Sequence, residues 1–69
     1  MSLEQRAEIV RHVKKLGEEA KIAVRGIRQQ ARKQIETSGR GSLRVVQEAT
    51  DAAIEAIEHV VQAKVAELT

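Results

Sequence analysis

The chain has 69 residues, with no cysteine, proline or aromatic residue, and 12 lysines and arginines against 10 acids for a net charge of +2. One domain at most fits this length, its core must come from Leu, Ile, Val and Ala, and disulfides and cysteine-ligated zinc are excluded. The longest apolar runs are three residues, Ile22–Val24 and Ala52–Ile54, against about 18 for a membrane-spanning helix, so no transmembrane segment and no secretory leader is expected and the cytoplasm is the default address.

Ser2 followed by Gln5 fits a capping box and marks the start of a helix. Apolar residues then recur in steps of three and four at Leu3, Val10, Val13, Ala20, Val24, Ile27 and Ala31, with Gly17 in the same series. That is the signature of one helical face. Ile9, Leu16 and Ala23 widen the stripe. Gly17 costs about 1 kcal/mol of helix propensity relative to Ala, so its place on the seam points to a close helix approach.

The pattern breaks at TSGRGS, residues 37–42, where Gly39 can adopt the left-handed conformation that ends a helix and Ser42 can cap the next one. So short a break implies two antiparallel helices. The second helix has apolar columns nearly all round: Val46, Ala53, Val60; Ala49, Ala56, Ala63; Ile54, Val61, Leu68; and Val45, Ala52, Ala66. Such a helix needs neighbours on two sides, and a hairpin supplies one. The expected architecture is therefore all-α: a single-domain two-helix antiparallel hairpin, helix about 3–36, turn 37–42, helix about 43–68, dimerising into a four-helix bundle. Ile9, Leu16, Ile54, Ile57, Val61 and Leu68 are the candidate oligomer-interface residues.

Charge is divided between the two halves. Residues 1–41 hold ten lysines and arginines against five acids, and residues 42–69 hold two against five. On the first helix, positions 11, 14, 18, 21, 25, 28 and 32 read Arg11, Lys14, Glu18, Lys21, Arg25, Arg28 and Arg32, a nearly continuous cationic ridge. Like charges three and four residues apart repel by a few tenths of a kcal/mol per pair, so the ridge calls for a counterpart. One is internal: Glu48, Asp51, Glu55 and Glu58 form an acidic ridge on the second helix. The other is an external polyanion, a phosphate backbone held through counterion release. Without aromatic side chains to stack on bases, such a partner is structured RNA or duplex rather than a single strand.

The residues of this ridge also carry a resemblance. Ser2 to Ile35 resembles, without gaps, the long helix that follows the inserted β domain in bacterial ribosome recycling factor. The family core reads like A-R-V-A-V-R-N-V-R-R-D-A. Here it is Ala20, Lys21, Ile22, Ala23, Val24, Arg25, Gly26, Ile27, Arg28, Gln29, Gln30 and Ala31. The segment VQEATDAAIEAIEHVVQAKVAEL, residues 46–68, is similar to the family's last helix through Gln47, Thr50, Asp51, Ile54, Ile57, Lys64, Glu67 and Leu68. The resemblance implies part of the three-helix domain that lies on the large ribosomal subunit, with Arg25 and Arg28 at positions that contact ribosomal RNA and Lys21 where the family also carries a cation. Gln29 stands where a further arginine is usual, Gly26 replaces asparagine, and the connection between the helices is shorter. The family's first helix and its β domain have no counterpart in these residues, so ribosome recycling by this chain alone is not expected, and a second copy would restore the bundle.

No catalytic constellation is present. Ser2, Ser38 and Ser42 fall at caps and the turn without a nearby base, and SGRGS lacks the context of a phosphate-binding loop. His12 and His59 each follow a glutamate by four residues, Glu8 and Glu55, which suits an ordinary helical pair better than a metal site. No enzyme activity, cofactor, metal, membrane or small-molecule substrate is expected. The expected partners are a second copy of the chain and ribosomal RNA of the large subunit, met by Arg11, Lys14, Lys21, Arg25, Arg28 and Arg32. The competing reading, from a different class, is a structural or engineered self-associating helical scaffold with no nucleic-acid activity.

Overall fold

A computed structural model describes residues 1–69. Helix α1 runs Leu3–Ser38 and helix α2 runs Leu43–Leu68, packed antiparallel. The capping box forms as the sequence predicts: Gln5 N donates to Ser2 Oγ (3.2 Å) and Ser2 N donates to Gln5 Oε1 (3.1 Å). At the other end α1 continues two residues past the predicted boundary, because Ser38 Oγ donates to Gln34 O and Gly39 N donates to Ile35 O (2.8 Å), extending the last turn. Gly39 then takes φ 70°, the left-handed conformation open to glycine at little cost. Ser42 starts α2 by accepting from Val45 N at 3.3 Å.

The 36 residues of α1, at about 1.5 Å each, account for the 55 Å length of the molecule, which is 15 Å wide and 8 Å thick over its Cα atoms. One seam joins the helices. From α1 it takes Val10, Val13, Gly17, Ala20, Val24, Ala31 and Ile35; from α2 it takes Val46, Thr50, Ala53, Ile54, Ile57, Val61, Val65 and Leu68. Only Gly17 and Thr50 are buried, and no hydrophobic side chain is. The Thr50 hydroxyl donates to Val46 O within its own turn (2.8 Å), so its burial leaves no polar group unpaired.

Gly17 marks the closest approach. A Cβ built there would lie 2.6 Å from Val61 Cγ2, so only a residue without a side chain allows this spacing. Because the apolar residues of the seam are half-buried, each contributes a fraction of the roughly 1.5–3 kcal/mol that full burial of an aliphatic side chain supplies. The expected surplus of apolar surface is present. Leu16 is 50%, Ile27 65% and Val60 66% exposed. Ile27 continues the seam series in the sequence, but drift of the 3.6-residue period carries it off the contact line.

Candidate nucleic-acid interface

The three-four stepping of Arg11, Lys14, Lys21, Arg25, Arg28 and Arg32 wraps along one flank of α1. Lys21 and Arg28 are half-buried, and Lys14, Lys21 and Glu18 share a shallow groove with Glu58 and Gln62 of α2. Arg11, Lys14, Arg25 and Arg32 are exposed. Lys14 and Lys21 thus share one groove with α2, and Arg28 lies in another beside Val46 and Thr50.

Only one of them is neutralised within the hairpin. Lys21 Nζ donates to Glu58 Oε1 across the seam at 3.0 Å and to Glu18 Oε1 at 3.5 Å, with its side chain 15% exposed. The hydrogen bond to Glu58 is the main reason its ammonium titrates above the usual lysine value; desolvation opposes the shift and the Glu18 charge adds to it. The rest of the acidic ridge does not reach α1. Glu48 is held by Arg44 at 2.9 Å, Asp51 accepts from Gln47 at 2.8 Å, and Glu55 pairs with no cation. The internal counterpart thus accounts for a single cation. Arg28 Nε is buried among groove residues that include Val24, Val46 and Thr50, and has no hydrogen-bond partner. Arg11, Lys14, Arg25 and Arg32 make no ion pair either.

Two open grooves between the helices are mostly apolar. Val13, Leu16, Ala20, Ala56, Ile57, Val60 and Val61, with Lys64, line one, and Val24, Ile27, Ala31, Val46, Ala49 and Ala53, with Arg28 and Thr50, line another further along. Of the six candidate interface residues, Ile54, Ile57, Val61 and Leu68 are half-buried on the seam with α1, while Leu16 and Ile9 stay exposed. Leu16, Ile57 and Val61 of that set line the open groove beside Ala56 and Val60, and Ile27 and Ala49 line the one further along. Their signal was in the sequence, as the extra apolar columns of α2, but the columns do not say which one the hairpin itself consumes. His12 and His59 make neither hydrogen bond nor ion pair, so the Glu8–His12 and Glu55–His59 pairs do not form. No group of three or more His, Asp and Glu residues comes together as a metal site would require.

The whole chain, residues 1–69, matches the family model of ribosome recycling factor. The chain belongs to the ribosome recycling factor family. This agrees with the resemblance carried by residues 20–31 and by Gln47, Thr50, Asp51 and Ile54, which lie on the two helices of one hairpin. Ribosome recycling factors are a non-enzymatic translation factor family. No curated protein and no solved structure matches the chain. No helix is long and apolar enough to cross a membrane.

Proposed function

We propose that this recycling-factor module acts in the cytoplasm as a homodimer that grips the backbone of structured ribosomal RNA of the large subunit along the basic flank of α1. The observation carrying this reading is that five of the six ridge cations, Arg11, Lys14, Arg25, Arg28 and Arg32, have no acidic partner in the hairpin. Their mutual repulsion is relieved when phosphates replace bulk counterions. The guanidinium fork of the arginines suits phosphate oxygens, and the lack of aromatic side chains favours recognition by shape and backbone over base stacking. Lys21 is already committed to Glu58 and serves the hairpin first. The exposed apolar grooves support self-association.

Binding of the wild type to large ribosomal subunits and to an RNA duplex, followed by fluorescence anisotropy across a salt series, tests the proposal. Log K should fall linearly with log salt, by up to about 0.9 per phosphate engaged. The double variant Arg25→Ala, Arg28→Ala should flatten that slope by up to about 2 while circular dichroism shows the helices intact. A wild type without salt-sensitive binding would leave the self-associating scaffold as the better account. Sedimentation showing a folded monomer at micromolar concentration would refute the dimer.

A further inference from the structure

The cationic ridge of α1 is interrupted at its middle. Arg11 and Lys14 form one exposed patch, and Arg25 and Arg32 form a second. Between them stand Glu18 and Lys21, and Glu58 of α2 lines the same groove. Lys21 spends its charge there, donating to Glu58 Oε1 at 3.0 Å and to Glu18 Oε1 at 3.5 Å. Its side chain is 15% exposed, while those of Glu18 and Glu58 are 66% and 50% exposed. The interval thus sets one half-buried cation against two carboxylates open to solvent. Its net charge is negative, where the stepping of α1 alone reads as almost unbroken positive charge. Arg28 lies in another groove, beside Val46 and Thr50, and takes no part in this spacing.

The interruption restricts which polyanion fits. Lys14 and Arg25 are eleven residues apart, about 16 Å along the helix axis. Steps of three and four keep both on one strip of α1, so two backbones crossing the helix at that spacing can each meet a patch. A stacked strand carries a phosphate about every 3.4 Å. Laid along α1, it would set several phosphates over Glu18 and Glu58, and like charges placed that close exclude a partner. A duplex meets the ridge differently. Its two backbones are separated by a groove, and in A-form RNA the minor groove is wide and shallow. With one backbone on Arg11 and Lys14 and the other on Arg25 and Arg32, the two carboxylates face the groove between them, where no phosphate lies.

We propose that Glu18 and Glu58 are specificity-determining residues. They split the ridge into two patches that grip the paired backbones of an RNA duplex across one groove, and they reject a single continuous strand. This rests on the RNA-backbone reading above and adds a repulsive element to it. The cations attract any polyanion; the two carboxylates set which spacing of phosphates is accepted.

Anisotropy of the full chain with two probes tests this: an RNA duplex, and an unstructured oligouridine strand of the same length. Wild type should bind the duplex more tightly. Glu18→Gln should raise affinity for the single strand about threefold, and Glu18→Gln with Glu58→Gln about tenfold, the scale of one and two exposed charge contacts. In the double variant the single-strand salt slope should steepen by up to about 0.7 for each phosphate newly engaged, as Lys21 is released. Duplex affinity should change less. Glu19→Gln removes the same charge from an exposed position outside the ridge and should leave the ratio of the two affinities unchanged. Circular dichroism checks that the helices persist. Glu18 is exposed and its contact with Lys21 is the longer one, so Glu18→Gln carries the test if the double variant unfolds. Equal affinity of the wild type for both probes, or a duplex preference untouched by Glu18→Gln, overturns the inference and spares the RNA reading. So does a Glu19→Gln variant that narrows the preference as much as Glu18→Gln, because net charge alone would then explain it. Absence of salt-sensitive binding to both probes overturns both readings.

Discussion

Replacing Gly17 by alanine sets two opposed effects against each other. In an isolated helix the change would gain about 1 kcal/mol of propensity. Here the new methyl would lie 2.6 Å from Val61 Cγ2, with Val61 Cβ and Cγ1 at 3.8 and 3.9 Å. Valine is β-branched and held near one rotamer in a helix, so Cγ2 cannot swing clear at little cost. The helices must part at their closest point, which loosens the neighbouring contacts of Val13, Ala20 and Ile57. Overpacking of this kind costs about 1–3 kcal/mol, leaving Gly17→Ala destabilised by about 1 kcal/mol net, or roughly 4–8 °C in Tm for a chain of this size. Removing the obstruction should reverse the sign. In a Val61→Ala background both γ-methyls are gone and only the Cβ contact at 3.8 Å remains, so Gly17→Ala should then stabilise by up to about 1 kcal/mol. The double-mutant cycle would show a coupling of about 2 kcal/mol. Thermal and urea unfolding followed by circular dichroism at one protein concentration measures all four corners. Gly17→Ala stabilising the wild type, or shifting both backgrounds equally, would refute the claim that Gly17 sets the interhelical spacing.

Three other outcomes follow from the turn and from the cross-helix ion pair. Gly39→Ala forces a methyl-bearing residue into φ 70° and should lower stability by about 1–2 kcal/mol, with Gly39→Asn losing less, as read from urea midpoints. Ser42→Ala removes the side-chain acceptor of Val45 N and should cost about 1 kcal/mol in the same assay. Lys21 titrates above its usual 10.5 in the folded state, so its contribution is complete below that pH and is lost as pH climbs through the raised value. Glu58→Gln should therefore flatten the fall in Tm on the alkaline side of pH 10.5, and an unchanged alkaline profile would count against the pair.

Much of this molecule was readable from spacing. Helix boundaries were signalled by residues with a mechanical role: Ser2 with Gln5, Gly39, and Ser42. Their local hydrogen bonds do not depend on the rest of the fold. Gly17 was readable because a glycine on an apolar seam has few uses. The partition of α2 was harder. Its columns are apolar nearly all round, so periodicity alone cannot say that Ile54 and Val61 meet α1 while Ala56 and Val60 remain free. That depends on the angle at which the turn delivers the second helix. The fate of the charges was equally hidden. Glu48, Asp51, Glu55 and Glu58 share one stepping, yet only Glu58 stands where a lysine reaches it, and Arg44 and Gln47 engage two of the others within their own helix.

The two helices differ in length by ten residues, 36 against 26, and the turn aligns them at one end. At the other end the first turns of α1 run beyond α2, with Leu3 83% exposed. Protection from amide exchange should therefore be graded along the rod: slowest beside Gly17 and Thr50, and fastest over the overhang, where opening breaks few packing contacts. The capping box sits at the tip of that overhang. There, a pair of hydrogen bonds between Ser2 and Gln5 does the holding that a neighbouring helix does elsewhere.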